Sequence, residues 1–194
     1  MKNLLIETSL FEGRVNEDSS GRTIVKGILQ RAAAPNQNER VYPKEILMRE
    51  AKKYETLIQE RRALGELDHP ESSVINLKNV SHNVREIHWD GDDLMGTVEI
   101  LPTPSGNILK ELLKAGILLG ISSRGMGSVE PRSGGGVTVG DDFELIGWDF
   151  VSNPSTHGAF MTPVNESKQM VSEDVCGNYC KAHDLIREII TELS

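Results

Sequence analysis

Residues Gly120 to Ser128, Gly-Ile-Ser-Ser-Arg-Gly-Met-Gly-Ser, put two adjacent hydroxyls at the end of an apolar run and follow them with an arginine and repeated glycines. A serine becomes a nucleophile only when a base takes its proton, a further group orients that base, and donors stabilise the oxyanion. Ser122 and Ser123 are the candidate nucleophiles, and Gly120, Gly125 and Gly127 leave backbone amides accessible. Arg124 either stabilises negative charge nearby or pairs with one of the many acids. The plainer alternative is a strand that runs into a flexible loop. A phosphate-binding loop is disfavoured, because the lysine of the G-x-x-x-x-G-K-[ST] pattern is missing and a helix precedes the segment.

The base must come from five histidines, His69, His82, His88, His157 and His183. His69 is the most suggestive, in Gly65-Glu66-Leu67-Asp68-His69-Pro70, where Gly65 and Pro70 fix a turn after a helix. Local sequence alone favours an ordinary capped turn over a catalytic histidine. His82 and His88 share parity on one expected strand with Val80 and Val84, as core or surface residues. Two strand histidines suggest zinc, yet nothing at fixed spacing supplies a third ligand. Cys176, Cys180 and His183 follow a C-x3-C-x2-H spacing, a weak metal signal beside the alternative of a helix with two half-buried thiols.

The elements that must position these residues follow from periodicity. Thr23, Val25, Gly27 and Leu29 alternate with Ile24, Lys26, Ile28 and Gln30, as in a strand with one more apolar face. From Pro43, Ile46, Leu47, Ala51, Tyr54, Leu57 and Ile58 recur at helical spacing. Val80 to Leu101 reads as a hairpin about Asp90-Gly91-Asp92-Asp93. Thr103 and Pro104 open a second helix through Leu109 and Leu113, which ends at Gly116. The serine strand follows, then Gly134-Gly135-Gly136, and a last strand runs through Phe143 to Ser155. Residues 1–163 form one expected domain, and 164–194 a linker with an appended helix bearing Leu185, Ile186, Ile189, Ile190 and Leu193 on one face. Irregular alternation of strands and helices points to a β-rich α+β domain, plausibly a barrel, over a parallel α/β sheet.

In a chain of 194 residues, 21 Lys plus Arg against 29 Asp plus Glu leave a net charge of -8 with no visible basic patch, which argues against nucleic-acid binding. No apolar run is long enough for a transmembrane helix, and no secretory leader is evident, so a soluble cytoplasmic protein is expected. The two cysteines sit near the C-terminus, so packing rather than disulfides must hold the main body.

Taken in order, the segments Arg62 to Pro70, Ala115 to Ser128 and Gly147 to Ser155, with the opening Leu4 to Thr8 and Asn38 to Leu47, resemble the prohead core proteases of T4-type tailed bacteriophages. The resemblance covers most of residues 1–163. It implies a herpesvirus-protease-like β-barrel with surrounding helices and a serine endopeptidase activity. His69 matches the family histidine, Ser122 the first serine of Ser-Ser-Arg-Gly, and Asp149 the orienting acid. Related viral proteases use a histidine in the third role, which leaves His82, His88 and His157 as alternatives. Ser122 and Ser123 must face opposite sides of a strand. Arg124 and the Gly125 amide are candidates for the oxyanion side.

The implied setting is the interior of a phage prohead in the bacterial host cytoplasm. The implied substrates are scaffold (core) and capsid proteins, with no metal or organic cofactor, no direct nucleic acid and no membrane, and a homo-oligomer left open. The alternative is an inactive homologue that binds scaffold as a prohead core component. Cleavage after Glu in Leu/Ile-x-Glu is also implied. Matches include Leu5-Ile6-Glu7, Leu10-Phe11-Glu12, Ile58-Gln59-Glu60, Leu64-Gly65-Glu66, Leu109-Lys110-Glu111, Ile186-Arg187-Glu188 and Ile190-Thr191-Glu192. Those within folded helices should be protected. Self-processing is expected after Glu188 or Glu192, with N-terminal trimming after Glu7 or Glu12.

Overall fold

A computed structural model of the chain describes residues 3–9, 16–17, 21–70, 72–117, 119–152 and 161–163. His157, Glu12 and everything after 163, including Cys176, Cys180, His183, Glu188 and Glu192, lie outside the described residues.

The elements run β1 (Asn3–Ser9), β2 (Asn16–Glu17), β3 (Thr23–Arg31), β4 (Arg40–Val41), α1 (Lys44–Gln59), β5 (Leu64–Glu66), β6 (Val80–Asp90), β7 (Asp93–Ile100), α2 (Pro104–Lys114), β8 (Gly120–Gly127), β9 (Val129–Pro131), β10 (Val137–Val139), β11 (Glu144–Val151) and β12 (Met161–Pro163). They form three sheets, ordered β1-β8-β11, β4-β10-β9 and β12-β3-β7-β6-β5, with β2 also on β3. This is the expected sheet-rich α+β architecture. The expected barrel is a different matter, since no ladder among the described residues closes one. The first and third sheets meet instead at a single parallel bridge, Leu67 to Phe150.

Local chemistry explains the elements that frame the site. On α1, Leu47, Ala51 and Tyr54 are buried at helical spacing, together with Glu50. Glu50 is 3% exposed and pairs with Arg49 (2.8 Å) and Lys53 (2.7 Å), while Arg49 Nη2 donates to the Phe143 carbonyl at 2.8 Å. Those contacts tie the helix to the start of β11. On α2, the Thr103 hydroxyl accepts from the Gly106 amide at 3.0 Å, Pro104 occupies the first turn, and Gly116 at φ +75° follows the end. The β6–β7 hairpin turns at Gly91, φ +59°.

Two cores result. The larger gathers Val25, Leu29, Tyr54, Val84, Val98, Leu109, Leu113, Ile121, Trp148 and Phe150 between α1, α2 and the sheets. A smaller one holds Leu5, Tyr42, Leu47, Val139 and Phe143. Parity on β6 does not survive along its length, because the register shifts between Val84 and Glu86. His82 is consequently buried and His88 exposed, so the two do not share an environment.

Three-residue β5 was too short to stand out by pattern, and its fit depends on Gly65. A Cβ there would lie 2.1 Å from the Trp148 carbonyl oxygen and 2.2 Å from His82 Nε2. Only a hydrogen at that position lets β5 approach β11 and the His82 ring so closely. Gly65→Ala should therefore lower stability by about 1–3 kcal/mol, read as a shift in urea midpoint. An unchanged midpoint would show that β5 is not held this tightly.

Candidate functional site

The first sheet does most of the positioning. Strand β8 lies between β1 and β11, and in its register with β11 Ser122 stands directly opposite Asp149, Ser123 opposite Trp148 and Arg124 opposite Gly147. Side chains alternate across a strand, so Ser122 and Arg124 share a face with Asp149, and Ser123 points the other way with Trp148. Ser123 Oγ has no hydrogen-bond partner among the described residues.

His69 reaches that face from the loop after β5. The Leu67–Phe150 bridge and the hydrogen bond from the Asp68 amide to the Phe150 carbonyl, 2.7 Å, pin the chain beside β11. Asp68 then adopts φ +69°, a left-handed conformation that Asp tolerates better than most side chains, and the backbone turns. His69 Nε2 lies 2.5 Å from Ser122 Oγ, and its Nδ1 lies 3.0 Å from Asp149 Oδ2. Ser122 and Asp149 are 0% exposed and the His69 side chain 13%.

The carboxylate is held from three directions. Asp149 Oδ1 accepts from the Glu66 amide at 2.9 Å and from Arg124 Nη2 at 3.1 Å, which leaves Oδ2 to His69. Burial by itself pushes the Asp149 carboxyl up; the hydrogen bond from His69, the charge of Arg124 and the Glu66 amide outweigh it and hold the group below its usual range. An ionised carboxylate only accepts, so His69 must carry its proton on Nδ1. Nε2 then offers its lone pair to the Ser122 hydroxyl. The stability tied to this ionisation is present above the ordinary carboxyl pKa of about 3.9 and is lost as pH falls through the depressed folded value.

Of the two oxyanion candidates, Arg124 is engaged by buried carboxylates and Gly125 lies within the first sheet. The guanidinium is 0% exposed and directed at carboxylates: Nη2 also donates to Glu66 Oε1 at 3.0 Å, and Nη1 to the Ser72 carbonyl at 2.7 Å. Gly125 sits between Leu5 on β1 and Leu145 on β11, so its amide points at one neighbouring strand or the other. Its missing side chain makes room for the Phe143 ring, 2.4 Å from where a Cβ would stand.

His82 lies behind Asp149, and the partners of its ring are Ser81 and the Trp148 carbonyl. Its Nε2 donates to the Trp148 carbonyl at 3.0 Å, its Nδ1 accepts from Ser81 Oγ at 2.9 Å, and Phe150 packs edge-on at 4.8 Å. Tyr54 completes this buried back wall, edge-on to Trp148 at 4.7 Å, with its phenol pushed up by burial and by the Asp149 charge. Glu66 and Ser72 are the neighbours that sequence reasoning passed over as site residues. Glu66 was visible inside the histidine motif, and a buried arginine two residues after the serine would have demanded a carboxylate partner.

Burial lowers His82 from 6.5 to about 4, against the opposing pull of Asp149 and of the Trp148 carbonyl. Between those pH values the unfolded chain binds a proton that the folded ring refuses, so stability falls as pH drops across the window, by about 3 kcal/mol. Urea titrations at stepped pH should display that fall, and His82→Gln should flatten it. An equal slope in both proteins would mean that another group is responsible.

The family described as prohead core protein serine proteases matches residues 5–169. The prohead core protein protease of Enterobacteria phage T4 is 31% identical over 153 residues, which span 77% of this chain and 72% of the phage T4 protein. The solved structure of the bacteriophage T4 capsid assembly protease is similar throughout, with a TM-score of 0.74 and 29% identity over 79% of this chain and 99% of the other.

Proposed function

Because the chain belongs to the prohead core protease family, we propose that Ser122, His69 and Asp149 form the catalytic triad of a serine endopeptidase that matures a phage prohead. The observation that carries this reading is the chain of contacts from Ser122 Oγ through both ring nitrogens of His69 to Asp149 Oδ2.

The chemistry follows from the protonation states. His69 Nε2 takes the Ser122 proton as Oγ attacks the scissile carbonyl, and the imidazolium that forms is stabilised by the Asp149 carboxylate. The same ring then returns the proton to the leaving amine, and water repeats the sequence on the acyl-enzyme. Asp149 stays ionised throughout because its other oxygen is held by Arg124 and by the Glu66 amide. No metal or organic cofactor is required for acyl transfer of this type. Ser122 is shielded from solvent, so a substrate reaches it only after the atoms above it move.

Substrates in this reading are the internal scaffold and the propeptides of capsid proteins, cut after Glu in Leu/Ile-x-Glu inside the prohead. Several copies of that tripeptide in the chain itself lie in ordered elements: Leu5 to Glu7 in β1, Ile58 to Glu60 at the end of α1, Leu64 to Glu66 in β5 and Leu109 to Glu111 in α2. A protease binds its substrate extended and must pull such segments out of the fold, so the copies in β1, α1, β5 and α2 should stay intact, and pairing with β8 counts against the expected trimming after Glu7. The copies outside the described residues remain the proposed self-processing sites, after Glu188 or Glu192 and after Glu12. Intact mass of the wild type beside Ser122→Ala tests this; cuts shared by both proteins would point to a contaminating protease.

Ser122→Ala and His69→Ala should each reduce scaffold cleavage by several orders of magnitude, on the order of 10^4-fold or more. Asp149→Asn should cost less than loss of the serine, since it supports the chemistry without performing it. Ser123→Ala should keep most activity, as its hydroxyl faces away from His69. A dead Ser123→Ala beside an active Ser122→Ala would reverse the assignment, and an inactive wild type would favour a scaffold-binding role without catalysis.

A further inference from the structure

Residues 70–79 connect His69 to β6, and little apolar packing holds the described ones, 70 and 72–79. Val74 is 70% exposed and Leu77 73%. A segment with so few buried contacts is expected to open at low cost unless polar contacts dock it. Two such contacts come from one buried ion pair. Arg124 Nη1 donates to the Ser72 carbonyl at 2.7 Å, and Glu66 Oε1 accepts both Arg124 Nη2 and the Asn76 amide, each at 3.0 Å. The same Nη2 bonds Asp149 Oδ1 at 3.1 Å. Arg124 Nε also stands 2.9 Å from Asp149 Oδ2 but off the line of its N–H, a charge contact without a hydrogen bond.

As a source of stability this arrangement is poor. Glu66 Oε2 is buried with no partner among the described residues, and Nε is likewise unbonded. Desolvating two carboxylates and a guanidinium in this state loses much of what their attraction returns. What the pair does achieve is geometric, because a planar fork with several donors fixes more than one acceptor at once. We propose that Arg124 and Glu66 are positioning residues: their ion pair docks the loop that follows His69 and holds the Asp149 carboxylate, so that the base and its orienting acid are set by one guanidinium. The proposal rests on the reading of Ser122 and His69 as nucleophile and base.

The test separates turnover from stability. In Glu66→Gln/Arg124→Met both charges of the pair are replaced by neutral groups of similar size, so the fold should survive where a lone substitution would strand a buried charge. Labelling of Ser122 by a fluorophosphonate, analysed for the maximal rate and for half-saturation separately, reads the catalytic geometry. The double variant should still unfold cooperatively and lose about 100-fold or more in maximal labelling rate, with half-saturation changed by less than about threefold. Hydrogen exchange at the Asn76 amide should be at least about tenfold faster than in the wild type, as the loop is no longer docked.

Arg124→Lys, which keeps the charge without the fork, should label roughly tenfold more slowly than wild type. A folded double variant that labels at the wild-type rate would overturn the proposal. Should the double variant not fold, Arg124→Lys with wild-type labelling and wild-type Asn76 protection would overturn it equally. A wild type that does not label at Ser122 would instead sink the nucleophile assignment, and Asn76 exchange would still decide whether the pair docks the loop.

Discussion

The register between β8 and β11 is the constraint on which the site depends. It sets Ser122 opposite Asp149 and turns Ser123 to the far side with Trp148. Because side chains alternate with a period of two, a slip of β8 by one residue would set Ser123 opposite Asp149 and turn Ser122 to the other face. Burial on both sides guards against the slip. Trp148 and Phe150 are anchored in the larger core, and Leu145 and Phe143 pack toward the smaller one. The register shift between Leu145 and Gly147 absorbs the mismatch at the other end of the pair.

Charges buried behind that register decide what the polar groups can do. Asp149 would be driven toward its neutral form by burial, and it is kept ionised by donors from three separate parts of the chain: His69 from the loop, Arg124 from β8 and the Glu66 amide from β5. An ionised Asp149 fixes the tautomer of His69, and the tautomer decides which atom faces Ser122. The surroundings of His82 act in the opposite sense. That ring is kept neutral by burial and spends both nitrogens on Ser81 and the Trp148 carbonyl, so it braces the acid's strand without competing for the serine.

Much of this was legible in the chain because the signals were local. The caps and periodicity of α2, the Asp-Gly hairpin and the alternation of β3 are short-range features, and the structure has each of them at the expected place. Strands β4 and β5 are two and three residues long and exist through pairing with β10 and β6, so no local pattern marks them. The same distinction separates the site residues. Ser122, His69 and Asp149 were singled out by motif, whereas the pairing of Arg124 with Glu66 and Asp149, 58 and 25 residues away in sequence, was not. An arginine next to glycines reads either as a stabiliser of negative charge or as the partner of an acid, and only the fold shows which acids it meets. His82 and His88 show the corresponding limit for strands, since a single register shift undoes an inference from parity.

The central claim is that Ser122 is the nucleophile, activated by His69. Mass-spectrometric mapping of a fluorophosphonate adduct on the native protein tests it most directly. The account predicts one adduct, on Ser122, that forms in the wild type and fails to form in folded His69→Ala. An adduct on Ser123, or labelling of Ser122 that proceeds unchanged without His69, would contradict it.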